Sequence, residues 1–209
     1  MRTRFLAALF AAFAATALAV PAFADEPKIE PKGQWVEPPK TLPHMPLHDS
    51  VNNLDFLFGA LTAAPDEETA KAIEQRIWVL WMHSQSDTTD LLMARVQKAI
   101  ENKDLALALK LLDAVVKIKP DYIEAWNRRA TIYYMQKDYG RSLADIRQVL
   151  RLEPRHFGAL TGLGLILQDI GNDKQALEVY RRALEVYPKL ERVPDIVKTL
   201  QEKVEGRDI

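Results

Sequence analysis

The sequence predicts an all-α fold, a solenoid of antiparallel helix pairs, and three observations carry that prediction. Pro120, Pro154 and Pro188 stand 34 residues apart. Each closes a segment of the same apolar pattern: LKLLDAVVKIKP, LADIRQVLRLEP and LEVYRRALEVYP. Polar turns at Asn102 to Asp104, Lys137-Asp138 and Gly171-Asn172 divide each 34-residue stretch into two helical halves. Counting back from the prolines gives units 89–122, 123–156 and 157–190. Proline lacks an amide donor and biases its predecessor to extended geometry, so each closing proline ends a second helix and begins the next turn.

The segments outside the repeats differ in kind. Arg2 and Arg4 precede an apolar run of 16 residues, Phe5 to Val20, and Pro21 breaks it before Ala22-Phe23-Ala24. A positive start, a short apolar stretch and a small-x-small end predict a signal peptide over 1–24, cleaved after Ala24. The run is shorter than the roughly 20 residues of a spanning helix. No later segment is apolar enough to span a bilayer, so the expected location is a bacterial periplasm or the cell exterior. Residues 25–50 hold six prolines, Pro27, Pro31, Pro38, Pro39, Pro43 and Pro46. They predict an extended linker. Trp35 stands out there as a residue that docks either on the domain or on a partner. His44 and His48 are four apart, but Pro43 and Pro46 forbid the helix that would join them as ligands, and no metal site is expected.

Helical period begins near Val51. Residues 51–88 read as a helix pair: Val51 to Ala63, then a second helix from Pro65 to about His83. Its stripe is Ala70, Ile73, Ile77, Leu80 and Trp81, and Ser84 to Thr89 form a polar break. Residues 191–209 contain a closing helix, Pro194 to Glu205, with Ile196, Val197, Leu200 and Val204 on one stripe.

The 209 residues are 48% hydrophobic and carry a net charge of −1. Without the two N-terminal arginines the balance is 26 basic against 29 acidic residues, a charge of −3. Nucleic acid is therefore not an expected partner, because phosphate binding needs a basic surface. With no cysteine, disulfides, thiolate metal sites and a cysteine nucleophile are excluded. There is no Gly-rich phosphate loop and no HExxH motif. His83 and His156 fall at helix ends, where a C-terminal dipole favours imidazolium, and neither has an obvious carboxylate partner in sequence. No enzyme and no cofactor are expected.

The 34-residue period and two helices per unit resemble the tetratricopeptide repeat (TPR) family. Its packing pattern maps onto Leu92, Trp126 and Leu160, then Val96, Ala130 and Gly164, then Ala99, Tyr133 and Leu167. In the second helices it maps onto Ala108, Ser142 and Ala176, Leu112, Ile146 and Tyr180, and Val115, Val149 and Ala183. Small residues let paired helices approach, and large ones fill the gap and reach the next unit. Residues 51–88 then read as a degenerate starting pair and 191–209 as a capping helix. Arg129 sits at a packing position, and Asp145 on the second helix is placed to meet it as a structural ion pair. Arg95 holds the same place one unit earlier, with Leu111 where the aspartate would be and Asp113 or a backbone carbonyl as its candidate partner.

The resemblance implies a protein-binding groove lined by the first helices. Its positions are Met93, Gln97 and Ile100 in the first unit and Glu124, Asn127, Arg128, Thr131 and Tyr134 in the second. Thr161, Leu165 and Gln168 complete it. Family members that clamp a C-terminal carboxylate use Lys and Asn; Met93, Gln97, Arg128, Gly158 and Gly162 stand there instead, so that mode is not expected. Gly158 and Gly162 either admit a ligand or another backbone, or merely loosen their helix. The expected function is a non-catalytic adaptor for a protein or peptide of the cell envelope. The alternative is a self-associating structural protein, a homo-oligomer using Trp78, Trp81 or the terminal helices.

Overall fold

The computed structural model describes Trp35, Val36, Pro38, Pro39 and residues 54–206. The predicted signal peptide, His44 and His48 lie outside these residues. Among those described there are nine helices and no strand: α1 Leu54–Thr62, α2 Glu67–Met82, α3 Asp87–Glu101, α4 Leu105–Ile118, α5 Ile123–Met135, α6 Tyr139–Leu152, α7 Phe157–Asp169, α8 Asp173–Val186 and α9 Val193–Val204. None is long and apolar enough to cross a membrane.

Three hairpins, α3–α4, α5–α6 and α7–α8, share one turn chemistry. Lys103, Lys137 and Gly171, again 34 apart, take left-handed φ of 60°, 58° and 81°. The next amide reaches back to the first helix: Asp104 to Ala99, Asp138 to Tyr133 and Asn172 to Leu167, at 2.8–2.9 Å. Those same three side chains then cap the second helices, accepting from the amides of Leu107, Arg141 and Gln175. The turn thus satisfies orphan carbonyls of one helix and an orphan amide of the next. Two of the three left-handed sites carry lysine, which resists that conformation where glycine does not. Lys137→Gly is expected to stabilise the protein by about 0.5–1 kcal/mol, read as a raised urea midpoint at unchanged slope.

Packing follows the small-against-large rule. Of the eighteen mapped positions all are buried except Leu92 and Trp126, which are half-buried. Ser142 is fully buried and donates its hydroxyl to the carbonyl of Ala130 at 2.8 Å, pinning α6 to α5. At Gly164 an added Cβ would stand 2.6 Å from the Tyr180 ring, so α7 and α8 close to a distance that only glycine permits. Arg129 lies between the paired helices and donates to Asp145 twice, from Nε and Nη2, both at 2.7 Å. Its third bond, from Nη1, goes to Asp113 of α4, also at 2.7 Å. Asp113 is therefore engaged by the second unit. Arg95 is exposed, and Leu111 stands at the position that Asp145 holds one unit later.

The N-terminal pair forms, yet its apolar stripe is buried in a different place from that of a starting unit. Leu57, Phe58, Leu61, Ile77, Trp78 and Trp81 belong to one core cluster with Phe157, Leu160, Tyr180, Tyr187 and Leu200. The first repeat's Val96, Ala99, Leu112 and Val115 form another, with Tyr122 and Ala125. The pair therefore seals the third repeat rather than capping the first. Trp78 meets Phe157 edge-on at 5.3 Å, Tyr187 donates to Glu74 at 3.1 Å, and Arg155 bridges to Asp55 at 2.7 Å. Trp78 and Trp81 are 1% and 4% exposed, so neither is available as a self-association surface. At the other end α9 packs on α8. Its own Val193 and Leu200 are buried in that contact, and Arg181–Glu205 at 2.8 Å and Lys203–Asp173 flank it.

Candidate functional site

The first helices α3, α5 and α7 carry the groove positions, and the structure divides them into two groups. Met93, Gln97, Arg128, Thr131 and Tyr134 are half-buried at the α3–α5 end. Arg128 donates to Gln97 at 2.7 Å, a link between consecutive units, and Gln97 in turn donates to Glu101 at 3.0 Å. Thr131 turns its hydroxyl to the carbonyl of Asn127.

Glu124, Asn127, Thr161, Leu165 and Gln168 are buried, contrary to the expectation that they line an open surface. Each has an internal occupation. Thr161 donates to the Phe157 carbonyl at 2.7 Å. Gln168 accepts from the Tyr180 hydroxyl at 2.8 Å. Leu165 packs in a cluster with Trp35. Glu124 accepts from Asn127 at 3.3 Å and faces His156 Nε2 at 2.9 Å.

His156 is the residue that sequence reasoning misplaced. It precedes α7 rather than ending a helix, and its Nδ1 accepts the amide of Ala159 as an N-cap. An accepting Nδ1 fixes the neutral tautomer with its proton on Nε2, which donates to Glu124. The ring stacks on Trp81 with centroids 4.1 Å apart and an interplanar angle of 11°. Both members of the pair are fully buried, leaving no room for a reacting molecule. Tyr122, His156 and Leu190 occupy equivalent places in successive units, and all three are buried. The sequence carries only the 34-residue register that puts His156 in line with Tyr122 and Leu190.

Trp35 lies at the α5–α7 end of the groove. It is 6% exposed and clusters with Ala130, Ile146, Val149, Ala159, Leu165 and Ile166. Its ring centroid lies 5.6 Å from that of Tyr134. Gly162 and Gly158, one turn apart on α7, provide the space. A Cβ on Gly162 would fall 2.3 Å from the indole, and one on Gly158 would fall 2.9 Å from the Val36 carbonyl oxygen. The two glycines therefore admit a side chain and a backbone from the proline-rich segment. Burial, and then the Asp169 carboxylate, push the Tyr134 phenol upward in pKa, so it stays a neutral donor.

Beside the seated segment is a cleft of about 330 Å³, walled by Trp35, Val36, Pro39, Lys71, Glu74 and Trp78 and by Leu190 to Arg192. Glu74 accepts there from the Trp78 indole and the Tyr187 phenol, both at 3.1 Å. Desolvation raises its pKa despite those two bonds. A carboxyl whose folded pKa exceeds the unfolded one contributes stability in full below the unfolded pKa and loses it as pH rises through the folded one. Glu74→Gln should therefore compare more favourably with wild type at pH 7.5 than at pH 4.5 in urea denaturation. An equal difference at both pH values would contradict this.

No cluster of His, Asp and Glu able to hold a metal occurs among the described residues. The comparisons with known proteins agree with the repeat geometry. A family model described as Tetratricopeptide repeat matches residues 93–148 and 127–191. A TPR repeat-containing protein of Rhizobium etli is 43% identical over 153 residues, spanning 73% of this chain and 75% of that one. The chain belongs to the tetratricopeptide repeat family. Other TPR relatives match over a shorter span. The small glutamine-rich tetratricopeptide repeat-containing protein 2 of Saccharomyces cerevisiae is 27% identical over 89 residues, 43% of this chain and 26% of that protein. Among solved structures, the Sgt2 TPR domain of Aspergillus fumigatus matches with a TM-score of 0.52 at 21% identity, covering 57% of this chain and 81% of that one. The first TPR of Spaghetti, solved bound to an HSP90 peptide, matches at 0.53 and 16%, covering 59% and 96%. These two show the fold alone. TPR proteins act generally as protein-interaction modules rather than catalysts.

Proposed function

We propose that this TPR chain is an exported adaptor that holds an extended segment of a cell-envelope protein in the groove of α3, α5 and α7. The observation that carries the reading is Trp35 seated on Gly162: the groove accepts extended, proline-flanked chain through a single aromatic anchor. The half-buried Arg128, Gln97 and Thr131 continue the same face with polar groups for a bound backbone, and Tyr134 adds its ring beside the Trp35 anchor. Export is supported by Arg2, Arg4, the apolar run Phe5 to Val20 and the small-x-small end at Ala22-Phe23-Ala24.

Crosslinking in the native compartment followed by mass spectrometry tests the proposal. Wild type should capture an envelope protein, and the Arg128→Glu/Tyr134→Ala double variant should capture at least tenfold less. Equal recovery by both would remove the groove from the function.

A further inference from the structure

Resting on that reading, we propose that the subsite at Gly162 recognises a tryptophan-bearing, proline-flanked segment of the partner, and that the chain's own Trp35–Pro39 is a tethered competitor which the partner displaces. The first ground is fit. Gly158 and Gly162 share one face of α7, and glycine weakens a helix interior. Their vacant Cβ positions are filled by the Val36 carbonyl and the indole, to 2.9 and 2.3 Å. The wall is otherwise made of Ala130, Ala159, Leu165 and Ile166, with the Tyr134 ring tilted against the indole. A flat aromatic side chain fills such a slot, whereas an aliphatic one leaves gaps.

The second ground is that a single buried side chain anchors the occupant, with the Val36 backbone against Gly158 beside it. Trp35 is buried, but Val36, Pro38 and Pro39 are half-buried, and the two prolines have no amide to donate. A short segment anchored by a single side chain can be exchanged without disturbing the helices around it. Tethering gives this weak ligand a high effective concentration, so only a partner presenting the same anchor with additional contacts along α3 and α5 would prevail. The polar side chains half-buried on that face are Gln97, Arg128 and Thr131, and a partner would exchange their present bonds within the face for bonds to itself.

A fluorescein-labelled peptide of residues 33–39, Gly-Gln-Trp-Val-Glu-Pro-Pro, is the probe. Its binding is measured by anisotropy to the wild-type chain, to Trp35→Ala and to Trp35→Ala/Gly162→Val. The peptide should bind Trp35→Ala at least tenfold more tightly than wild type, and Gly162→Val should abolish that gain. A second readout leaves Trp35 in place: the chain has no cysteine, so Val36→Cys accepts one environment-sensitive dye. Excess peptide should shift its emission toward the solvent-exposed value, and a peptide with alanine in place of tryptophan should not. Equal affinity for wild type and Trp35→Ala, or a dye that ignores the peptide, would overturn the proposal. Capture of an envelope protein by wild type together with either of those results would sink the inference alone and leave the adaptor reading standing. Peptide competition as expected, with no envelope protein captured, would retain the subsite and remove the adaptor reading.

Discussion

Replacing His156 with alanine is expected to destabilise the protein by about 3–5 kcal/mol, the range for breaking a buried polar pair by removing one member. Three losses coincide at this position. The Glu124 carboxyl, fully buried, keeps only the 3.3 Å bond from Asn127. The amide of Ala159 loses its cap. Trp81 loses the ring stacked on it at 4.1 Å. Urea denaturation followed by circular dichroism measures the effect. His156→Asn retains an acceptor able to cap α7 and should recover part of the loss. Glu124→Leu/His156→Leu removes both polar members and should be less damaging than His156→Ala alone, because no buried group is then left without a partner. A loss below about 1 kcal/mol for His156→Ala would mean that water reaches Glu124 and that the pair does not hold the junction.

The second large effect is expected at Asp145→Ala, about 2–4 kcal/mol. Arg129 has a side chain 15% exposed, and Asp145 one 5% exposed. The hydrogen bonds that Arg129 donates to Asp145 are the leading cause that pushes its pKa further upward; a guanidinium is protonated even without such a partner, so it stays charged when Asp145 is removed. It would then face Asp113 alone, whose side chain is 48% exposed and well screened. Asp113→Ala should accordingly cost less than about 1 kcal/mol. Native-state hydrogen exchange distinguishes the two: Asp145→Ala should speed exchange across both α5 and α6, and Asp113→Ala should not. Similar losses for both variants would contradict the assignment of Asp145 as the principal partner.

The repeat architecture was legible because several signals agreed. The prolines, the capping residues Asp104, Asp138 and Asn172, and the small-large pattern all share one period, and each acts within about a dozen residues of its partner. The ion pair of Arg129 and Asp145 was legible for the same reason, its members being 16 residues apart. Other features were not. Amphipathic spacing shows that α2 buries a face, but not which surface receives it; Trp78 and Trp81 would suit α3 as well as Phe157. Glu124 and Asn127 belong by register to an open groove, and their burial follows from His156, 32 residues further on. Trp35 offered no periodicity at all. Its place became evident only where two glycines on α7 left a slot of matching shape.

The clasp of α1 and α2 over the third repeat has a kinetic consequence. A linear array of repeats makes only near-neighbour contacts, and its folding can start in any unit and spread. Here Thr62 bonds to the Val186 carbonyl across 124 residues of sequence, and Tyr187 bonds to Glu74 across 113. Such pairings close very large loops and raise the contact order far above that of an open array. The ring they complete sets the rhythm of assembly: α3 to α6 can form from local contacts, while α7 and α8 reach their final burial only once the first two helices have returned to meet them.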